Sequence, residues 1–363
     1  MAEIRDFYRQ RVVLITGHSG FKGSWLTLLL QELGAVVHGY SLGSQTSPSL
    51  FQIARVADAC VSHEGDIRDT ARVQQVVESV RPEVVFHLAA QPIVRRSYAD
   101  PLETLGINVM GTASLLEAVR TLPGNCGVVV VTSDKCYENQ DWSFGYRETD
   151  SLGGHDPYSM SKACAELVVS SWRRSYLDNT NRIRLATARA RNVIGGGDWG
   201  QDRIVPDCVQ SLTRQQPIGV RNPQATRPWQ HVLDPLWGYL QLAAALGGDR
   251  GRSFAGAWNF GPSASGIQPV RELVRRIIDA WGGGSWSDLS DPSAPHEARA
   301  LALCCDKAHR ELDWWPQWGF SQTVFNTIDW YRHWHAGTTD MGDLTRHQIR
   351  DYMRDQAEAR ERT

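Results

Sequence analysis

The chain has 363 residues, 42% of them hydrophobic, enough for one large core or two smaller ones. Its formal net charge of -2 gives no basic field to hold a nucleic acid, and no apolar run approaches the roughly 20 residues of a membrane span. Its 7 cysteines are scattered without a CxxC pair, which argues against a disulfide framework or a zinc site and predicts free buried thiols and no metal.

The charged start, MAEIRDFYRQ, lacks an apolar signal core and predicts a cytoplasmic protein. RVVLITG reads as a strand, SWLTLLLQELG as a helix ended by Gly34, and AVVHGYSL as a second strand. A helix over ARVQQVVESVRP, a strand over EVVFHLAA, a helix over NVMGTASLLEAVRTL and a strand over GVVVVTSD follow. YSMSKACAELVVSSWRRSY continues as a long helix, and RIRLATARARNVIG as a strand with an exit loop. Continuous apolar strands separated by helices predict a parallel sheet covered on both faces. This is an α/β fold of the Rossmann type, doubly wound, with ligands at the carboxyl ends of its strands. Beyond about Gly195 the pattern loosens, punctuated by Gly, Pro and Trp. The expected division is a mainly dinucleotide-binding domain over 1–194 and a smaller substrate-binding lobe over 195–350, with possible exchange of strands or helices between them. A charged tail over 351–363 is expected to fray. Many of the 14 tryptophans lie in the second half and read first as core filling, with sugar stacking as the alternative.

LITGHSGFKGSW places Gly17, Gly20 and Gly23 between the first strand and the first helix. The spacing is GxxGxxG. Such glycines let the backbone turn tightly and approach a pyrophosphate, which rests on the helix N-terminus. The turn as a whole, with His18, Phe21 and Lys22, is assigned to a dinucleotide cofactor. An NAD-selective site often has an acid at the end of the second strand, and GYSLGS has none. Lys22 could even favour an extra phosphate, so these residues leave NAD or NADP open. Asp66 and Ile67 in EGDIRD are candidates for an adenine contact, against the plainer reading of a turn.

VVVVTSDKCYENQ ends a buried-looking strand in Thr132, Ser133, Asp134 and Lys135. HDPYSMSKACAE then offers Asp156 as a helix cap and Pro157 at the first helical position. Tyr158 and Lys162 are i and i+4 and share a face. A nearby ammonium stabilises a phenolate, so Tyr158 reads as a base for an alcohol proton while hydride leaves the same carbon for a nicotinamide.

With TGHSGFKGSWL, HLAAQPIVRRSY, TSDKCYEN, DPYSMSKACAE, NVIGGGDW, RPWQHVLDPL and WNFGP in place, the chain resembles the extended short-chain dehydrogenase/reductases. Within them it resembles the nucleotide-sugar branch and most closely the CDP-glucose 4,6-dehydratases, from residue 12 to about 330. The resemblance implies bound NAD and CDP-glucose as substrate. Ser133 would bond the sugar 4-hydroxyl beside Tyr158. Asp134 would be the acid that protonates the departing 6-hydroxyl, and Lys135 the C5 base or a group that tunes it. Ala89 would face the cofactor. Gln91, Asn192, Arg227 and Arg203 would hold the substrate, with His231 a further candidate and His296, beside Glu297, near the nucleotide. A homodimer or dimer of dimers is implied, built on the Tyr158 helix and the helix around Leu115. Two positions depart from the family pattern: Arg191 replaces a small residue in RARN, and Cys304 stands where an Asp is common. Alternatives are a dehydratase of another nucleotide sugar, a 4-epimerase or 4-keto reductase, and a non-catalytic dinucleotide-sensing protein.

Overall fold

The computed structural model describes residues 2–142, 144–178, 182–190, 192–290 and 301–361. Arg191, His296 and Glu297 lie outside the described residues. After a short α1 (Ala2–Tyr8), strands and helices alternate: β1 (Val12–Thr16), α2 (Phe21–Glu32), β2 (Val36–Ser41), α3 (Leu50–Ile53), β3 (Val61–Glu64), α4 (Thr70–Val80) and β4 (Val84–His87). Two short helices, α5 (Val94–Ala99) and α6 (Pro101–Leu105), lead into α7 (Gly111–Arg120), β5 (Cys126–Val131), α8 (Pro157–Trp172) and β6 (Ile183–Arg189). Both helices predicted over residues 108–122 and 158–176 carry a π-helical turn, at Gly106–Met110 before α7 and at Arg173–Leu177 after α8.

Every residue of β4 and β5 is buried, as a parallel sheet covered on two faces requires. Successive side chains alternate between two cores. Val13, Ile15, Phe86, Val129 and Val131 pack with Leu26 and Leu29 of α2. Leu14, Val85, Val128 and Val130 pack on the other face with Val73 and Val77 of α4, Leu115 and Val119 of α7 and Val169 of α8.

The second half contributes β7 (Val193–Ile194), α9 (Ile204–Thr213), β8 (Ile218–Val220), β9 (Thr226–Pro228), β10 (Gln230–His231) and α10 (Leu233–Gly247). Then follow β11 (Ala257–Asn259), β12 (Ile267–Pro269), α11 (Val270–Trp281), β13 (Trp286–Asp288), α12 (Asp306–Leu312), α13 (Phe320–Ala336) and α14 (Met341–Glu361). The chain returns to the first sheet: β11 pairs in parallel with β6, Ala257 opposite Thr187. The seven-stranded order is β11-β6-β5-β4-β1-β2-β3, so connection direction reverses between β1 and β4. That reversal opens the crevice where such folds bind ligands.

Trp25, Trp237, Trp258, Trp314 and Trp330 are fully buried, which supports core filling for these five. All 7 cysteines are free, and no metal-binding cluster occurs among the described residues. No helix among the described residues is long and apolar enough to cross a membrane. The charged stretch from Asp351, expected to fray, is instead the second half of α14. Ile349, Tyr352 and Met353 form its buried stripe, and Arg350 pairs with Glu32 of α2 at 2.9 Å.

The turn after β7 packs on α13 without room for a side chain. A methyl added at Gly196 would lie 2.1 Å from Cγ of the buried Trp330. Gly196→Ala is expected to destabilise the protein by about 1–3 kcal/mol, read as a lower denaturant midpoint at unchanged slope. A midpoint equal to wild type would contradict this packing.

Candidate active site

The glycine turn spans the β1–β4 crevice. Gly17 has φ +78°, and a Cβ there would lie 2.7 Å from the backbone nitrogen of Ala89 at the tip of β4. A Cβ at Gly23 would lie 2.1 Å from the Gly17 carbonyl oxygen, so α2 sits directly on the turn. Gly20 is the extended N-cap of α2 and supplies no side-chain cap. A pyrophosphate fits this bare helix end and its glycine cradle. Phe21 starts α2 and leans toward Gly195. The His18 ring is buried between Ser41 Oγ at 2.9 Å and Ser62 Oγ at 3.0 Å, and burial pulls its pKa down to about 4, so it is neutral.

Burial pulls the Lys22 pKa down to about 7, helped by the cations of Arg203 and Lys162 and opposed by Asp134 and Asp198. Asp66 is gripped by Arg68 Nε at 3.0 Å, so an adenine contact would have to share its carboxylate. Ile67 is buried against Gly111.

Beyond β5 the chain stops alternating. The Ser133 hydroxyl accepts from the Lys135 backbone N–H at 3.3 Å and donates to Asp134 Oδ1 at 3.1 Å. Asp134–Cys136 is a 3-10 turn. This turn lets neighbouring residues reach one crevice, where a continued strand would send them to opposite faces. Asp134 is fully buried and Lys135 half-buried. Opposite, Asp156 caps α8 by accepting from the Ser159 backbone N–H at 2.9 Å. Tyr158 and Lys162 follow one turn apart, both buried, and the Ser133 hydroxyl approaches the Tyr158 phenol and favours its ionised form. Burial pushes the Tyr158 pKa up to about 12. The bond to Ser133 and the cation of Arg203 pull it back, and Asp134 pushes it up.

Arg203 is held by Asp198 at 2.7 Å, which brings it to the reacting centre. Asn192 sits at φ +43° with its buried Nδ2 lacking a partner among the described residues, a donor suited to a ligand oxygen. Arg227 lies on β9 opposite Gln268 of β12, its Nη1 donating to the Thr226 carbonyl. The Gln91 side chain is engaged at both ends, donating to Thr104 at 2.9 Å and accepting from the Ile93 backbone N–H at 2.6 Å. These two bonds hold its side chain in place and leave one amide N–H and one lone pair over. His231 packs between Trp25 and Trp318 in the core, not in the crevice. At Cys304 the backbone N–H donates to the Tyr146 carbonyl at 2.9 Å, and the carbonyl accepts from Asn259 Nδ2 at 3.1 Å.

Two residues escaped the sequence reading. Asn108 accepts from the Gln91 backbone N–H at 2.8 Å and donates to Ser161 Oγ at 2.8 Å, tying the loop after β4 to α8. His87 bridges Thr16 at 2.6 Å and Thr112 at 3.0 Å, and burial pulls its pKa down to about 3. Both sat inside apparently regular helix or strand patterns, and only a polar residue in an apolar run marked them.

Burial lowers the Lys162 pKa from 10.5 to about 8, with Cys136 and Glu166 acting to raise it. The folded value lies below the unfolded one, so the unfolded chain holds this proton more tightly. The penalty is full below pH 8 and fades as pH rises from 8 to 10.5. Lys162→Met is therefore expected to be more stable than wild type at pH 7, by roughly 1–3 kcal/mol, with the gain shrinking toward pH 10.5 and turnover lost. Equal stability at pH 7 would show that the buried ammonium carries no penalty.

A profile of the GDP-mannose 4,6 dehydratase family matches residues 14–245. A CDP-glucose 4,6-dehydratase of Salmonella typhimurium is 46% identical over 353 residues, covering 96% of this chain and 98% of its own. A dTDP-glucose 4,6-dehydratase of Mycolicibacterium smegmatis is 30% identical over 336 residues, 88% of this chain and 93% of its own. Among solved structures, a double mutant of the Streptomyces venezuelae dTDP-glucose 4,6-dehydratase with NAD and DAU bound matches with TM-score 0.73 at 26% identity, over 88% of this chain and 96% of that one. The chain belongs to the GDP-mannose 4,6 dehydratase family.

Proposed function

We propose that this chain is an NAD-dependent dehydratase that converts CDP-glucose to CDP-4-keto-6-deoxyglucose. The observation that carries this reading is the meeting of the Ser133–Asp134–Lys135 turn with Tyr158 and Lys162 across the crevice. The 46% identity with a CDP-glucose 4,6-dehydratase supports the same substrate.

NAD, when bound on the glycine turn, supplies a reversible hydride acceptor. Tyr158 takes the proton of the 4-hydroxyl, which Ser133 orients, as the C4 hydride leaves. The resulting 4-ketone acidifies the C5 proton. Lys135, as base or as the group that tunes it, faces C5. Asp134 gives a proton to the departing 6-hydroxyl, and water leaves across C5 and C6. The hydride is returned to C6 and a proton to C5, so no net oxidation occurs. Asn192, Arg203 and Arg227 supply donors and cations for the nucleoside diphosphate.

Elimination needs an acid and a base beyond the Tyr-Lys pair, and a simple 4-epimerisation does not. A dinucleotide sensor would need neither Tyr158 nor Lys162. The division near residue 194 makes the second lobe the nucleotide-sugar side. A cytoplasmic homodimer accompanies this reading. Leu102, Met110, Leu167 and Tyr176, on and beside α6 to α8, are exposed apolar residues that a second copy could cover, whereas Leu115 is buried within its own chain.

The test is a mass assay of the purified protein with CDP-, dTDP-, GDP- and UDP-glucose, with and without added NAD. Loss of one water from CDP-glucose is expected, and Tyr158→Phe should slow it by roughly 10²–10⁴-fold. Water loss from another sugar alone would keep the chemistry and change the substrate. No mass change with any of them would overturn the dehydratase.

A further inference from the structure

Glu166 lies on α8 one turn beyond Lys162 and two beyond Tyr158, so the three share a face. It is buried, and its carboxylate accepts from three residues. Thr132 donates to Oε1, Thr187 to Oε2 at 2.7 Å, and Arg189 to both oxygens at 3.0 and 2.8 Å. These bonds use about all the lone-pair sites a carboxylate offers. Arg189 in turn donates to the Tyr137 hydroxyl at 2.6 Å and lies over its ring at 4.7 Å. The Tyr137 hydroxyl donates to Asn259 Oδ1 at 2.8 Å.

The partners frame the reacting turn. Thr132 immediately precedes Ser133, and Tyr137 immediately follows Cys136. We propose that Glu166, with Arg189, is a positioning residue for the reaction: the pair grips both ends of the turn carrying Ser133, Asp134 and Lys135 and locks it to the helix face carrying Tyr158 and Lys162. The proposal rests on the assignment of these residues to the sugar above.

A buried ion pair is weak evidence for stability, since an apolar pair of similar volume often serves as well. Position is what this pair uniquely supplies. Apart from it, the turn meets α8 through the apolar packing of Cys136 and Tyr137 with Ala163, which is non-directional, and through the approach of Ser133 to Tyr158 that the chemistry itself uses. Near-attack geometry is unforgiving, with a 1 Å misplacement worth about 10²-fold in rate. Glu166 also places a fixed negative charge beside Lys162. The other titratable groups facing Lys162 are Lys22, His87 and Cys136.

The test compares three near-isosteric substitutions. Thr132→Val and Tyr137→Phe each release one end of the turn. Thr187→Val removes a bond to the same carboxylate without touching the turn. The first two are expected to lower kcat roughly 10–100-fold with KM little changed. Thr187→Val should stay within about threefold while losing comparable stability. Glu166→Gln should move the alkaline limb of the kcat–pH profile to lower pH, because Lys162 loses the charge that helps retain its proton. Crystal structures supply a readout independent of turnover: the separation of Ser133 Oγ from the Tyr158 hydroxyl should lengthen in Thr132→Val and not in Thr187→Val. An unchanged separation in Thr132→Val, or equal losses of kcat in Thr132→Val and Thr187→Val, would overturn the proposal. A wild-type protein that dehydrates no nucleotide sugar would overturn the functional reading instead, and the crystallographic comparison would still decide this one.

Discussion

Parallel pairing of β1, β4, β5 and β6 brings four carboxyl ends to one edge of the sheet, and each chemical feature extends one of those ends. The register is fixed by adjacent apolar residues, Val13 opposite Val84, Val85 opposite Val128 and Val129 opposite Ala186. A slip of one residue in any strand would exchange its two core faces. It would also carry Ser133 away from Tyr158, or Gly17 away from Ala89. The same constraint that buries the valines therefore aligns the glycine cradle with the turn that begins at Ser133.

The crevice concentrates like charge. Lys22, Lys162 and Arg203 converge there, against Asp134 and Asp198. In the protein alone this arrangement is unfavourable, and burial pulls both lysines toward neutrality. A pyrophosphate cofactor and a nucleoside diphosphate bring the missing negative charge. Stability is thus given up at the site and recovered on binding, a common relation between function and stability.

Much of the fold was legible. β-branched runs such as VVVV and VVFH marked parallel strands because both of their faces are covered. The Asp156–Pro157 start of α8 was readable because capping is local. What escaped depends on distant partners. β11 is three residues in a Gly- and Trp-rich stretch, and only its pairing with β6 makes it a strand. The end of α14 looked too charged to hold, yet the stripe through Tyr352 outweighs its composition. At the site, residue types were readable and side-chain directions were not. Nothing local tells that the Gln91 side chain is tied to Thr104 and Ile93, or that His231 is sealed between tryptophans. The 3-10 turn after Ser133 was equally hidden, although it breaks the strand alternation that would send Ser133 and Asp134 to opposite faces.

The central claim is that one hydride is lifted from C4 and returned to C6 within a single turnover. The most direct measurement uses CDP-glucose carrying deuterium at C4, with the product examined by mass and proton spectra. The expected product has lost one water and carries the deuterium at C6, with none released to solvent. Deuterium kept at C4, or lost to solvent, or transferred without loss of water, would contradict the dehydratase mechanism and the roles given to Asp134 and Lys135.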